Sequence, residues 1–382
     1  MHIIRKKIML VFGTRPETIK MSPLIHFLKA RPDAFKVMVC VTAQHRQMLD
    51  QVLNVFKISP ELDLDLMKPG QDLFEITSSV LIGMRDVIKE QNPDAVLVHG
   101  DTTTALATAM AGFYSGVQVG HVEAGLRTHN VHAPFPEEFN RQVVSKVSKW
   151  HFAPTKKSRQ NLLSEGIADN TITVTGNTVI DALNLVLKRL DTDQIRLQRI
   201  TTEISQTIPF SWQDKRFVLI TGHRRENFGD GFLQICQAIK ELADKFTDVE
   251  FVYPVHLNPN VQTPVRNILG NLANVHLIEP LDYESFVLLL KNCYLVLTDS
   301  GGIQEEAPSL GKPVLVMRDV TERPEAVDAG TVELVGTDKN KIFQGVSSLL
   351  EDEGHYTSMS RAHNPYGDGR ACERIAEVLQ NA

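Results

Sequence analysis

A chain of 382 residues is too long for one comfortable hydrophobic core, so two domains are the expectation. Its 42% hydrophobic and 23% charged residues are ordinary for a soluble globular protein, and a net charge of -6 argues against a general nucleic-acid binder, which carries a basic face. The four cysteines, Cys40, Cys236, Cys293 and Cys372, form no CxxC pair and read as small buried hydrophobes in a reducing compartment.

The opening MHIIRKKIMLVF meets Gly13-Thr14-Arg15 too soon for a signal peptide or a membrane span, and reads as a first strand. No later stretch is long and apolar enough to cross a bilayer, so a cytoplasmic protein that binds no membrane is expected. Strands follow at KVMVCVT, AVLVHGD, VQVGHVEA, WHFAPT and ITVTG. Between them lie amphipathic stretches such as PLIHFLKA and DLFEITSSVLIGMRDVIKEQ. The strand runs are Val-rich and nearly continuous, as parallel strands covered on both faces require. From about Asn177 to Arg199 the chain reads as one or two helices. A polar passage with few core positions, TTEISQTIPFSWQDKR, then marks the best domain boundary. A second series follows: FVLITGH, VEFVYPVH, VHLIEP, YLVLTD, PVLVMR and TVELVG. The expected class is therefore α/β, with two doubly wound Rossmann-like domains.

In open parallel sheets ligands sit beyond the carboxyl ends of the strands. The unusual residues of both series stand there, which implies a site in the cleft between two facing domains. GTRPETIK places Arg15 and Lys20 around the first strand-to-helix turn, where a basic pair suits an anion, although solvated surface charge explains a lone pair as well. Asp101 and Glu123 each end an apolar strand, and Glu137 stands with Glu138 in FPEEFNR. A carboxylate at a strand end is either a helix cap or a partly desolvated acid or base. His223, in TGHRREN, sits beside two arginines and belongs to an anion-seeking cluster or holds its loop. In TDSGGIQEEAPSLGKP, the glycines at a strand-to-helix turn let phosphate approach free N–H groups, and Glu306 lies about one turn further, in reach of a ribose diol. This is no P-loop: Pro313 follows Gly311-Lys312, and Glu306 stands where the first glycine belongs. With no GxGxxG after the first strand and no HExxH, neither a nicotinamide cofactor nor a metal is expected.

Taken in order, GTRPETIKMSPL, TAQHRQMLDQ, HGDTTTALA, GHVEAGLRT, PFPEEFNRQ, TGNTVIDAL, TGHRRENFG, YPVHLNPNV, LTDSGGIQEEAPSLGKPVLVMRDVTERPEA and NPYGDGRA closely resemble the non-hydrolysing bacterial UDP-N-acetylglucosamine 2-epimerases. The resemblance covers nearly the whole chain. It implies a GT-B-like fold whose C-terminal helix returns to the first domain, giving residues 1–178 with 366–382 and residues 179–365. It also implies a cytoplasmic homodimer that interconverts UDP-GlcNAc and UDP-ManNAc with no cofactor. By matching position, Arg15 and Lys20 contact the nucleotide sugar; Ser300, Gly301 and Gly302 the diphosphate; Glu306 the ribose; and Arg323 the same site. Phe286 lies beside the uracil. Leu281 departs from a related sequence that carries glutamine there. Asp101, Glu123, Glu137 and His223 match the catalytic positions. Gln44, Gln47, Gln71, Arg224 and His256 match residues that hold a second substrate molecule as an activator, although Gly70 replaces one activator-contacting arginine.

A hydrolysing epimerase that releases ManNAc and UDP, a GT-B glycosyltransferase and a non-catalytic nucleotide-sugar sensor are the competing readings. A transferase needs fewer acids than this chain clusters, and a sensor leaves Asp101, Glu123 and Glu137 without a purpose.

Overall fold

The structure, a computed structural model, describes residues 5–42, 46–66, 68 and 70–381, with the backbone alone at 46–48 and 225. The chain divides into two compact units: Met1–Leu185 with Tyr366–Ala382, and Val186–Pro365.

The first unit is built on a seven-stranded sheet of β1 (Lys6–Phe12), β2 (Phe35–Val41), β3 (Leu62–Asp63), β4 (Ala95–His99), β5 (Gln118–Val122), β6 (Trp150–Ala153) and β7 (Ile172–Val174). The spatial order is β3-β2-β1-β4-β5-β6-β7, and every pairing is parallel. Leu10 lies in register with Val39 on one side and Leu97 on the other. Met9 and Val11 pack with Val96, Val98 and the apolar stripes of the helices Leu73–Gln91 and Thr103–Tyr114. Helices on both faces explain why these strands read as continuous apolar runs.

The second unit carries β8 (Phe217–Thr221), β9 (Glu250–Pro254), β10 (Val275–Ile278), β11 (Leu295–Thr298), β12 (Val314–Val316) and β13 (Val332–Leu334). Their order is β10-β9-β8-β11-β12-β13, again parallel throughout. Val218, Ile220, Phe251, Leu295 and Leu315 meet the buried stripe of the helix Asp230–Lys245 in its core.

Strand order reverses between β1 and β4 in the first sheet and between β8 and β11 in the second. Such a reversal opens a crevice, because consecutive crossovers diverge to opposite sides of the sheet. The loops leaving those four strands carry Gly13-Thr14-Arg15, Gly100-Asp101, Gly222-His223 and Asp299-Ser300.

The helix Ala371–Asn381 belongs to the first unit. Asp181 accepts from the N–H groups of Ala371 (3.2 Å) and Cys372 (2.9 Å), and Lys6 Nζ donates to Leu379 O at 2.8 Å.

Two local readings change. The polar passage after Arg199 continues the helix Gln194–Thr207, and Ile200, Ile204, Ile208 and Trp212 are buried. Ile200 and Ile204 fall four apart on one face of that helix, and Ile208 and Trp212 are buried just beyond its end, although the composition looks like a linker. Burial of each is worth about 1.5–3 kcal/mol, enough to keep the segment packed. The two-residue β3 went unrecognised because it is too short to show a period.

Candidate active site

In the first unit the helix Arg15–Lys29 begins with Thr14 as its N-cap and Glu17 closing a capping box. Glu17 does more than cap. Its Oε2 accepts from Gly13 N (3.0 Å), Thr14 N (2.8 Å) and Thr14 Oγ1 (2.8 Å), while Oε1 accepts from Thr102 Oγ1 at 2.7 Å. One buried carboxylate thus ties the loop carrying Arg15 to the loop carrying Asp101 across the reversal between β1 and β4. Burial raises its pKa against the pull of those donors.

Thr102, not Asp101, caps the helix Thr103–Tyr114, accepting from Ala105 N at 3.0 Å. This leaves the Asp101 carboxylate for other work. Arg141 Nη2 approaches Asp101 Oδ2 to 2.7 Å, with the Asp101 side chain 26% exposed. Burial raises the Asp101 pKa; Arg141 opposes that rise, and the charges of Glu123 and Glu137 add to it.

Glu123 follows β5 with a left-handed backbone, φ 65°. A non-glycine residue held there stores strain that the surroundings must offset, a pattern that clusters at functional sites. Its Oε2 receives the ammonium of Lys20 and Asn177 Nδ2 (2.7 Å), and His99 Nε2 stands 3.8 Å away. Burial pushes the His99 pKa down to about 4, against the attraction of Glu123, so the ring is neutral near pH 7. Glu137 opens the helix Glu137–Val147, and its main-chain oxygen accepts from Arg141 Nε at 3.3 Å. Asp101, Glu123 and Glu137 are therefore one electrostatic group, with two of them held by different cations.

In the second unit Asp299 lies beneath the reversal between β8 and β11, wholly buried, and its Oδ2 accepts from the N–H groups of His223 and Arg224, both at 2.8 Å. Gly222 leaves little room for a side chain at this turn, since a Cβ there would stand 3.1 Å from Tyr253 Oη and 3.3 Å from Met317 Cε. His223 stacks on His256 with ring centroids 5.1 Å apart and planes 12° apart. Burial lowers the His223 pKa; Asp299 opposes this, while His256 and Arg224 reinforce it.

Ser300 N donates to Thr298 Oγ1 (2.9 Å), which itself meets Thr221 Oγ1 at 2.6 Å. The helix Ile303–Ser309 then starts at Gly302, and the first N–H groups of a helix lack intrahelical partners. Arg323 lies against Gly301: a Cβ at Gly301 would fall 2.5 Å from Arg323 Nη1. The guanidinium donates to Glu305 Oε1 (2.6 Å) and Glu322 Oε1 (2.8 Å). Burial of Glu322 resists ionisation, yet Arg323 and Arg318 outweigh it and hold the carboxyl down at about 2. Glu306 Oε1 accepts from Tyr283 Oη at 2.6 Å, and Phe286 and Leu281 are half-buried nearby in sequence. The result is a patch of N–H groups and cations next to carboxylates able to accept from hydroxyls.

Comparison with known proteins identifies these features together. The family model for UDP-N-acetylglucosamine 2-epimerase matches residues 27–380. The UDP-N-acetylglucosamine 2-epimerase of Escherichia coli K12 is 58% identical, with 98% of each chain covered. This chain belongs to the UDP-N-acetylglucosamine 2-epimerase family. The structure of the Neisseria meningitidis enzyme bound to UDP-GlcNAc superposes with a TM-score of 0.92 at 51% identity, covering 98% of this chain and 100% of that one. The Methanocaldococcus jannaschii enzyme in complex with UDP-GlcNAc and UDP gives 0.83 at 33% identity, covering 98% and 100%. The α/β class with two doubly wound, GT-B-like units is that of the family structures.

Of the expected residues, Asp101, Glu123, Glu137 and Lys20 gather in the first unit, with Lys20 engaged by Glu123. His223, Arg224 and His256 gather in the second, as do Ser300, Gly301, Gly302, Glu306 and Arg323. Among the expected activator residues, Gln44 and the side chain of Gln47 lie outside the described residues. Gln71 holds its own loop, accepting from Lys68 N at 2.7 Å and donating to Leu66 O at 3.3 Å. Sequence reasoning gave no role to Glu17, Arg141, Asn177, Glu305 or Glu322. The Thr-x-x-Glu of a capping box was readable for Glu17; the others carry no local signal. Among the described residues no group of three or more His, Cys, Asp or Glu side chains is arranged to hold a metal ion, and no helix is long and apolar enough to cross a membrane.

Proposed function

We propose that this protein catalyses the reversible conversion of UDP-N-acetylglucosamine into UDP-N-acetylmannosamine without hydrolysing it. The observation that carries the reading is the trio Asp101, Glu123 and Glu137, carboxylates within one another's field, with Asp101 held by Arg141 and Glu123 by Lys20. The C2 hydrogen of the sugar is not beside a carbonyl, so direct deprotonation is very difficult. Elimination avoids that carbanion: a carboxylate takes the C2 proton, the C1–O bond to UDP breaks, and its electron pair leaves on UDP. The product is 2-acetamidoglucal, with a C1–C2 double bond. Re-addition of UDP at C1, with a proton delivered to the opposite face of C2, gives the epimer. This route needs acid–base groups near C2 and fixed positive charge for the departing diphosphate.

Proton handling falls to Asp101, Glu123, Glu137 and His223. Arg15, Ser300, Gly301, Gly302 and Arg323 hold diphosphate, Glu306 the ribose, and Phe286 with Leu281 the base. Lys20 acts on the sugar side through Glu123. The relatives named above and their bound UDP-GlcNAc and UDP support this substrate. The enzyme is a cytoplasmic homodimer that supplies ManNAc units for surface polysaccharide, and a second UDP-GlcNAc activates it through Gln71, Arg224 and His256. The exposed Phe74, Ile82, Phe113 and Tyr114, on two helices packed together, offer apolar surface that a second copy could cover, which supports the homodimer.

Proton NMR of the protein with UDP-GlcNAc alone in heavy water tests the reaction. UDP-ManNAc with deuterium at C2 of both sugars is the expected outcome. Free ManNAc with UDP would place the enzyme on the hydrolysing branch, and an unchanged spectrum would point to a glycosyltransferase awaiting an acceptor.

A further inference from the structure

Asp299 has one oxygen fully employed and one idle. Its Oδ2 accepts from His223 N and Arg224 N at 2.8 Å and from Asn227 Nδ2 at 3.3 Å. Its Oδ1 is buried and has no hydrogen-bond partner among the described residues. A buried carboxylate oxygen without a donor has given up its water for nothing in return, and such a group asks for an explanation. His223 Nδ1 stands 3.7 Å from it, with the imidazole face steadied by His256 at 5.1 Å. If the loop needed only an anchor, Oδ2 with its three donors would suffice.

We propose that Asp299 is a positioning residue for His223, accepting a hydrogen bond from Nδ1–H through Oδ1. The bond fixes one tautomer of the ring and turns Nε2 outward as the proton-accepting nitrogen. The gap of 3.7 Å closes by a small ring rotation, and catalytic hydrogen bonds of this kind tighten as substrate is engaged. A carboxylate behind an imidazole also stabilises the imidazolium that forms when Nε2 takes a proton. Asp299 thus has two separable jobs: Oδ2 holds the backbone of the loop, and Oδ1 sets the ring. The proposal rests on the reading of His223 as a group that meets the substrate.

Asp299→Asn separates the two jobs. The amide oxygen takes over the donors of Oδ2, while the amide N–H2 faces His223 Nδ1 and forces that nitrogen to accept. The test is 15N NMR of the full-length protein labelled in histidine, above the His223 pKa, with the His223 signal assigned by its loss in His223→Gln. The expected wild-type tautomer is Nδ1–H, inverted to Nε2–H in Asp299→Asn. Turnover of UDP-GlcNAc should fall by about a hundredfold or more, with KM changed only a few-fold. An Nε2–H tautomer in the wild type overturns the proposal without any variant, and so does a ring unaffected by Asp299→Asn. Full activity in His223→Gln would instead remove His223 from the reaction and leave the tautomer result to be judged by itself.

Discussion

Lys20 and Glu123 form a buried ion pair, the ammonium donating to Glu123 Oε2 with the two side chains 9% and 7% exposed. Removing one partner of such a pair leaves an uncompensated charge out of water, at a cost of about 3–5 kcal/mol. Lys20→Met should therefore destabilise the protein by that order in urea unfolding and abolish turnover. Adding Glu123→Gln should restore much of the stability but none of the activity. Equal stability of Lys20→Met and the double variant would show that the unpaired carboxylate carries no penalty once the lysine is gone.

The pair Arg141–Asp101 makes a prediction about pH. Burial already raises the Asp101 pKa, and Arg141 is what restrains it. In Arg141→Gln the Asp101 carboxyl should hold its proton to still higher pH. The limb of the kcat/KM profile that belongs to Asp101 then moves to higher pH, whether that group works as acid or base. Asp101→Asn identifies the limb by deleting it, and an unmoved limb in Arg141→Gln would contradict the assignment.

Gly301 is a glycine because Arg323 lies on it. Gly301→Ala sets a methyl 2.5 Å from a guanidinium already pinned by Glu305 and Glu322. Calorimetric titration with UDP should show affinity lower by about tenfold, equivalent to about 1.4 kcal/mol. Unchanged UDP affinity would mean that Arg323 does not meet the nucleotide.

Acid should destabilise the first unit through its histidines. Burial depresses His99 to about 4 and His121 to about 3, both from 6.5. Above pH 6.5 these rings are neutral folded or unfolded. Below it the unfolded chain binds protons that the folded one refuses, so stability falls as pH drops towards 4. For His99 the full loss is on the order of 3 kcal/mol. Urea unfolding at pH 7 and pH 5 should show a smaller difference in His99→Asn than in the wild type.

The exposed apolar side chains of the helices Leu73–Gln91 and Thr103–Tyr114 test the proposed dimer. Phe74 is 85% and Tyr114 70% exposed. Charging them, as Phe74→Asp with Tyr114→Asp, should give a monomer by light scattering while preserving the circular dichroism spectrum. A persistent dimer would place the interface elsewhere.

Much of this was legible in the chain, for a physical reason. Parallel strands sheathed on both faces must be apolar throughout, so runs such as IMLVF and AVLVH stand out, and whatever polar residue ends them is conspicuous. Asp101, Glu123, His223 and Ser300 were visible on that ground. Their partners were not. Asn177 reaches Glu123 across 54 positions and Lys20 across 103. Pairings of that range depend on how helices land on a sheet, which no local pattern records. The isoleucines at 200 and 204 failed differently: their helical spacing was in plain view, but polar neighbours masked it.

Arg323 arrives at its task already occupied, its guanidinium bound by Glu305 and Glu322 and Glu322 kept ionised by that contact. On the proposed reading, a diphosphate that binds there performs a ligand exchange, substituting one anion for another, rather than filling a vacant charge. On departure the carboxylates close back over the cation. Release would then leave no bare guanidinium behind, and the grip on nucleotide would be moderated from within, as the proposed elimination and re-addition of UDP requires.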